Sequence, residues 1–361
     1  MRRELMIFGY FGRGNLGDET NLRRLVVLLQ AVLPGRKITV ITAHPARIAT
    51  ELKVAAVAKF NFLKICAAMW RSRFFIGGCG NVFQDRTSLR SLIYYSFLVF
   101  MARLQGCRVV LYGQGIGPIR TRPGKWIAAR AFSLVEMMIL RDRVSIGALY
   151  GLGAVRSEIH FTAEPLLALD ELSLEKVAAV WAEIGASPQR KIGLVVQENE
   201  FTTRLFWKQL IGTLHSGRNL ALYLIAIDES HWTAWRELAE ETGCVWLREN
   251  RDWERLQAVV GGLDLVVSVK LHGIVAAVNQ GIPCFSLAVD PKIEGFCRQL
   301  EIPFYLFSGP TEAFDLGRRI LAYLEGLAVG PRPTPENRRF WKALALENER
   351  ILLKYLQAAE P

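Results

Sequence analysis

The feature that most constrains this chain is an alternation. Short apolar, β-branched runs recur along its whole length, separated by longer stretches with helical periodicity. In the first half the predicted strands are 5–9, 37–42, 74–77, 108–113, 137–140 and 158–161; in the second they are 191–196, 220–227, 244–247, 263–267, 283–287 and 304–307. Helical patterns fill most of the gaps, as at 21–33, 89–104, 174–184, 232–241 and 271–280. Strands that are apolar on both faces and separated by helices predict parallel sheets covered on both sides. A chain of 361 residues exceeds one ordinary core and suits two. The expected fold is therefore α/β, with two Rossmann-like doubly wound domains. The break is placed near Ala168–Ser173, giving domains over 1–170 and 171–330. A Pro-rich stretch at 330–335 ends the second array, and a last helix over 336–356, within the segment 331–361, is expected to pack back across the molecule. Ligands in open α/β sheets bind beyond the carboxyl ends of the strands. Two such domains facing each other put the chemistry in an interdomain cleft.

Charge is unevenly spread. Between Thr20 and Val135 eighteen Lys or Arg face only two acids, Glu51 and Asp85, while the net charge of the whole chain is +11. A basic first half suggests an anionic partner such as a membrane surface or a lipid diphosphate; no nucleic-acid role is expected. The longest uncharged apolar run, Leu92–Ala102, is too short to span a bilayer, which takes about 20 residues. The N-terminal apolar stretch reads as a first strand rather than a signal peptide. The six cysteines are scattered, without a Cys-x-x-Cys pair or clustered histidines, so reduced cytosolic thiols are expected rather than disulfides or a metal site.

The strand ends carry the candidate chemistry. After the first strand comes Gly9–Glu19, four glycines with Asn15, Gly17 and Asp18, the last placed as a helix cap. After the third comes Gly77–Ser91, with Gly78, Gly80, Gln84, Asp85 and Arg90 beside a helix start where an anion could sit. Gln114 follows the fourth strand in a turn, and Arg141 follows the fifth, where a guanidinium suits a carboxylate or phosphate. In the second half Ser268, Lys270 and His272 lie at one strand-to-helix junction, with Asp290 and Lys292 after the next strand. Of the five histidines, His272 is the one placed for acid–base work. No Ser-His-Asp order and no metal-ligand spacing can be assembled, and no cofactor is expected.

Taken in order, these motifs resemble the polysaccharide pyruvyl transferase family, in particular its CsaB-like cell-wall branch. The resemblance runs from Gly9 to about Phe296. It rests on Gly9–Glu19, Gly78–Tyr95, Gly113–Pro118, Arg141–Ser145, Thr162–Pro165 and Ser268–Phe296. It implies a GT-B-like architecture, phosphoenolpyruvate as donor substrate, and a pyruvate ketal built on a sugar. In the cell-wall branch that sugar belongs to a ManNAc-containing, lipid-linked precursor used in S-layer anchoring. By position the resemblance makes Asp18 the acceptor-side base, His272 the catalytic acid, and Arg141 and Lys270, with Ser268, the donor contacts. The chain departs from the pattern at Cys79, Glu164, Lys270 and Val289, and in the acidic segment Val196–Glu200. Two rivals stay open: a nucleotide-sugar glycosyltransferase on the same architecture, and a non-catalytic precursor-binding homologue. Oligomeric state, a homo-oligomer included, is open as well. Finally, Lys59–Phe75 mixes four cations with five aromatics and no acid, a composition suited to an anionic lipid interface; the competing expectation is that Phe62, Ile65 and Met69 pack inward and the cations are merely solvated.

Overall fold

The computed structural model describes residues 4–86, 88–153, 157–185, 187–217, 219–229, 231–249, 252–307, 313–326 and 334–359. Thr87 and most of the Pro-rich stretch, 330–333, lie outside the described residues. The chain forms two compact units, 1–168 with 342–361, and 169–341.

The first unit holds β1 (Glu4–Phe8), α1 (Leu16–Val32), β2 (Ile38–Thr42), α2 (Pro45–Leu52), β3 (Ala55–Ala58), α3 (Phe62–Arg71), β4 (Ser72–Gly77), β5 (Gly80–Phe83), α4 (Leu89–Leu104), β6 (Arg108–Ile116), α5 (Arg122–Phe132), β7 (Met137–Leu140), α6 (Arg143–Tyr150) and β8 (Glu158–Phe161). The strands pair in parallel in the order β3-β2-β1-β4-β6-β7-β8, with β5 against the end of β6. One face of the sheet is covered by α3, α4 and α5, through Ile65, Met69, Leu92, Val99, Ala128 and Phe132. The other is covered by α1, α2 and the C-terminal segment, through Leu22, Leu29, Ile48, Leu352 and Leu356. Both faces are apolar, which is why the strands read as continuous hydrophobic runs.

The second unit holds α7 (Leu174–Ile184), β9 (Arg190–Val195), α8 (Arg204–Leu214), β10 (Leu220–Ala226), α9 (Trp232–Thr242), β11 (Val245–Arg248), α10 (Trp253–Gly261), β12 (Leu265–Ser268), α11 (Leu271–Asn279), β13 (Cys284–Ala288), α12 (Pro291–Leu300), β14 (Phe304–Leu306), α13 (Ala313–Glu325) and the first part of α14 (Pro335–Ala358). Its parallel sheet runs β11-β10-β9-β12-β13-β14. In both sheets the strand order reverses direction once, between β1 and β4 and between β9 and β12, the positions where α/β sheets bind ligands.

Three expectations need correction. The helix after β1 begins at Leu16, so Asp18 lies in its first turn and Asn15 is the cap, its side-chain oxygen facing the Asp18 N–H at 3.5 Å. The Gly-rich segment after β4 is not all loop, because Gly80–Phe83 forms β5. Gln114 lies within a strand rather than a turn: β6 continues to Ile116 because β5 pairs with it, Gly80 opposite Gln114 and Phe83 opposite Ile116. Among the described residues no helix is long and apolar enough to cross a membrane.

Candidate functional site

In the first unit the carboxyl ends of β1, β4, β6 and β7 bring several predicted residues into one buried cluster. Gly80 has φ +126°, and a Cβ there would stand 3.2 Å from Asp18 Oδ1. Glycine therefore lets the β5 backbone pass over the Asp18 carboxylate. Gln114, fully buried, donates from Nε2 to the Gly80 carbonyl at 2.8 Å. A Cβ on Gly115 would fall 3.2 Å from Arg141 Nε and 3.3 Å from its Nη2, so the strand beside the guanidinium is kept bare. Asp18, Gly80, Gln114 and Arg141 are thus neighbours, with Gly78 and Cys79 on the same turn.

Arg141 is buried and forms an ion pair with the wholly buried Glu164, which also accepts from Asn21 Nδ2 at 2.9 Å. Burial works against the charge of Arg141, but Glu164, Asp142 and Asp18 outweigh it and hold the guanidinium pKa above its ordinary value. The same burial, reinforced by Glu164, pushes the Cys79 thiol well up, so Cys79 stays protonated and contributes shape rather than a nucleophile. Asn21 was not singled out from sequence; it sits one turn beyond Asp18 inside α1, and its helical position hid it. Asp142 has a plain structural job, capping α6 by accepting from the Ser145 N–H at 2.6 Å.

Glu19, next to Asp18, accepts from Gly12 N–H at 2.8 Å and from Arg47 at 3.1 Å, which ties the glycine loop to α1. Burial raises its pKa in spite of Arg47. Asp85 accepts from the N–H groups of Arg120 and Thr121 and from the Thr121 hydroxyl, at 2.7, 2.8 and 2.6 Å. Burial alone would raise its pKa; these bonds bring it below the ordinary value. Asp85 therefore braces the start of α5. Gln84 is half-buried beside it, and Arg90 is exposed on α4. A recess lined by Tyr10, Arg13, Thr42, Lys59, Tyr94 and Tyr95 among others opens beyond the ends of β1 and β2.

In the second unit Ser268, Lys270 and His272 leave the end of β12. Ser268 is buried and its hydroxyl both donates to the Lys270 carbonyl at 2.8 Å and accepts from the Lys270 N–H at 3.1 Å, fixing the turn into α11. Lys270 is the N-cap residue of α11, and its ammonium pairs with Asp228. Asp228 lies two residues past the end of β10, within reach of the strand-end rule that selected the other residues. His272 lies in the first turn of α11, half-buried, its ring 6.4 Å from that of Trp253 in an edge-on contact. Asp290 caps α12 by accepting from the N–H groups of Lys292 and Ile293 at 2.9 and 3.0 Å. Among the described residues no group of His, Cys, Asp or Glu is arranged to hold a metal ion.

Two parallel doubly wound sheets, each with polar groups at its carboxyl edge, define an α/β architecture of the GT-B kind. The family model for polysaccharide pyruvyl transferase matches residues 15–291, and the chain belongs to that family. No curated protein matches the sequence. Solved structures with a similar fold include HepE from Anabaena in complex with UDP and glucose, at TM-score 0.65 and 12% identity over 98% of this chain and 100% of that one. MnaA from S. aureus with UDP is similar at TM-score 0.66 and 10% identity, over 100% and 98%. A glycosyltransferase from Rickettsia africae is similar at TM-score 0.64 and 10% identity, over the whole of both chains. At such identities the likeness is one of fold.

Proposed function

We propose that this chain transfers a pyruvyl group from phosphoenolpyruvate to a saccharide, closing a pyruvate ketal with release of phosphate. In this reading it acts in the CsaB-like manner, on a lipid-linked, ManNAc-containing cell-wall precursor at the inner face of the cell membrane. The observation that carries the reading is the buried Asp18–Gly80–Arg141 cluster in a chain of the pyruvyl transferase family. A carboxylate that can take a hydroxyl proton stands near a guanidinium kept charged by its own buried partners.

The chemistry divides as follows. His272, protonated, gives its proton to the methylene carbon of the donor, and positive charge develops on the carbon bearing phosphate and carboxylate. A sugar hydroxyl attacks that carbon as its proton passes to Asp18. Arg141 and Lys270 offset the carboxylate and phosphate charges. A neighbouring hydroxyl then displaces phosphate, its proton leaving with the phosphate, and the ketal closes. Positioned acid–base groups of this kind contribute about 10²–10⁴-fold each. Lys270 keeps the charge of the family arginine and lacks its fork; its pairing with Asp228 holds the ammonium in one place instead.

The test is incubation of the purified chain with labelled phosphoenolpyruvate and a lipid-linked ManNAc disaccharide. Phosphate release with an acid-labile pyruvyl mass on the sugar is expected. Turnover of a nucleotide sugar in its place would identify a glycosyltransferase, and binding of neither donor would identify a non-catalytic homologue.

A further inference from the structure

The layer formed by α3, α4 and α5 on one side of the first sheet presents a surface that the transfer chemistry does not use. Helix α4 is apolar on every side. Leu92, Tyr95, Val99 and Ala102 face the core. On the outer side Ile93, Phe97, Phe100 and Leu104 remain 43%, 43%, 54% and 71% exposed. Their spacing of four, three and four residues lines them up as one stripe along the helix. Helix α3 continues the patch: Phe62 lies 5.9 Å from Phe97 ring to ring, Phe60 lies 5.7 Å from Tyr94, and Leu63 and Trp70 are exposed beyond them. Helix α5, packed against α4, adds the exposed Trp126 with the guanidinium of Arg130 5.5 Å from its ring. Of the aromatics in 59–75, Phe74 and Phe75 enter the core with Ile65 and Met69, while Phe60, Phe62 and Trp70 stay outside, so that of the three residues expected to pack inward Ile65 and Met69 do and Phe62 does not.

A contiguous apolar patch of this kind on a protein surface marks an interaction site. Its charge says with what. None of the three helices carries an acid, whereas Lys64, Arg90, Arg122, Lys125 and Arg130 lie on them. At the edge of the patch Tyr94 also lines the recess that holds Arg13 and Lys59, two like charges that favour an anion between them. A symmetric dimer through this face would set each cation opposite like charges on its copy. Nucleic acid would leave the aliphatic stripe without a partner. We infer that the outer face of α3, α4 and α5 docks on an anionic lipid bilayer, with Phe97, Phe100, Leu104 and Trp70 entering the interface and the surrounding cations meeting head-group phosphates. Tryptophan and long aliphatic side chains on one face with Lys and Arg around them are what interfacial binding requires.

The experiment is sedimentation of the full chain with vesicles, either pure phosphatidylcholine or phosphatidylcholine mixed with rising phosphatidylglycerol, at several salt concentrations. Binding should rise with phosphatidylglycerol and fall with salt. The variant carrying Phe97→Ser, Phe100→Ser and Leu104→Ser should lose at least about tenfold in partition, from the apolar area withdrawn. Each of Arg122→Gln, Lys125→Gln and Arg130→Gln should cost about fivefold. Leu205→Ser, an exposed apolar position in the second unit, should change nothing, and unchanged circular dichroism keeps misfolding out of the comparison. Three results would overturn the inference: no sedimentation at low salt, partition indifferent to the α4 variant, or a dimer of the parent chain that the same variant converts to monomer. Because vesicle binding needs neither donor nor acceptor, its outcome is independent of the donor chemistry.

Discussion

Arg141 and Glu164 form an ion pair with both side chains buried, and Asn21 donates to the second oxygen of the same carboxylate at 2.9 Å. Removing one member of such a pair leaves the other charge unmatched in a dry site, at a cost of about 3–5 kcal/mol. Glu164→Ala should therefore lower the unfolding free energy read from urea denaturation by that amount, and Glu164→Asp, which keeps the charge, by clearly less. Arg141→Lys keeps the charge and loses the fork; it should retain most of the stability while weakening protection by phosphoenolpyruvate in thermal denaturation. A stable Glu164→Ala variant would show that the pair does not hold this site together.

His272→Ala should separate chemistry from folding. The ring is half-buried and touches Trp253 edge-on, so the melting transition should stay near that of the parent. If the imidazole delivers the proton, kcat falls about 10²–10⁴-fold with little change in donor binding. Near-normal kcat would require another acid.

Glu136 links three elements by accepting from Arg103 at 2.6 Å, Arg108 at 2.7 Å and the Tyr355 hydroxyl at 2.7 Å. Burial alone would raise its pKa, but the bonds from Tyr355 and Arg108 and the nearby charges bring it below the ordinary 4.5. A folded-state pKa below the unfolded one contributes stability above the unfolded value, and that contribution is lost as pH falls through the folded value. Glu136→Gln should accordingly be less stable than the parent at neutral pH, and the difference should close in acid below pH 4.5. Urea midpoints of both chains across that range check the sign. A gap that widens in acid would contradict it.

The cysteines offer a probe of packing. Cys79, Cys107, Cys284 and Cys297 are buried, while Cys66 and Cys244 are partly exposed. Burial pushes the Cys297 thiol up to about 12 and holds Cys79 well above its usual range. An aromatic disulfide reagent at neutral pH should label Cys66 first and Cys244 more slowly, leaving the other four until urea is added. Fast labelling of Cys79 in the native chain would mean that the cluster around Arg141 is open.

Much of the fold was legible because buried parallel strands and helices have different periods. Predicted strands such as 137–140 and 158–161 coincide with β7 and β8, and α4 begins and ends where its pattern does. The strands β3 and β5 escaped detection for physical reasons. Ala55–Ala58 is a partly exposed edge strand of small residues, and Gly80–Phe83 opens with a glycine in a conformation other residues avoid. Strand-end logic selects Asp18, Arg141, Lys270 and His272 as candidates, but it does not show which groups pair: Glu164 meets Arg141 and is itself held by Asn21 through tertiary packing, and Asp228 reaches Lys270 past the end of β9. The outward stripe of α4 was likewise invisible, since a helix apolar all round does not declare which side the core will take.

The first unit is discontinuous. From Lys342 the last helix belongs to it, Asn348 donating to the Ala163 carbonyl and accepting from the Thr162 hydroxyl, and Leu352 and Leu356 lying among the sheet side chains. A ribosome therefore finishes strands β1–β8 long before it makes the residues that complete the cover of the face on which α1 and α2 lie. Until Tyr355 is made, Phe74, against which it later packs, lacks that cover on the nascent chain, while the second unit, drawn from one unbroken stretch, can close earlier. Apolar surface left open during synthesis invites chaperones or aggregation. A stop just before Lys342 would thus spoil the first unit, made long before, rather than the second, just completed.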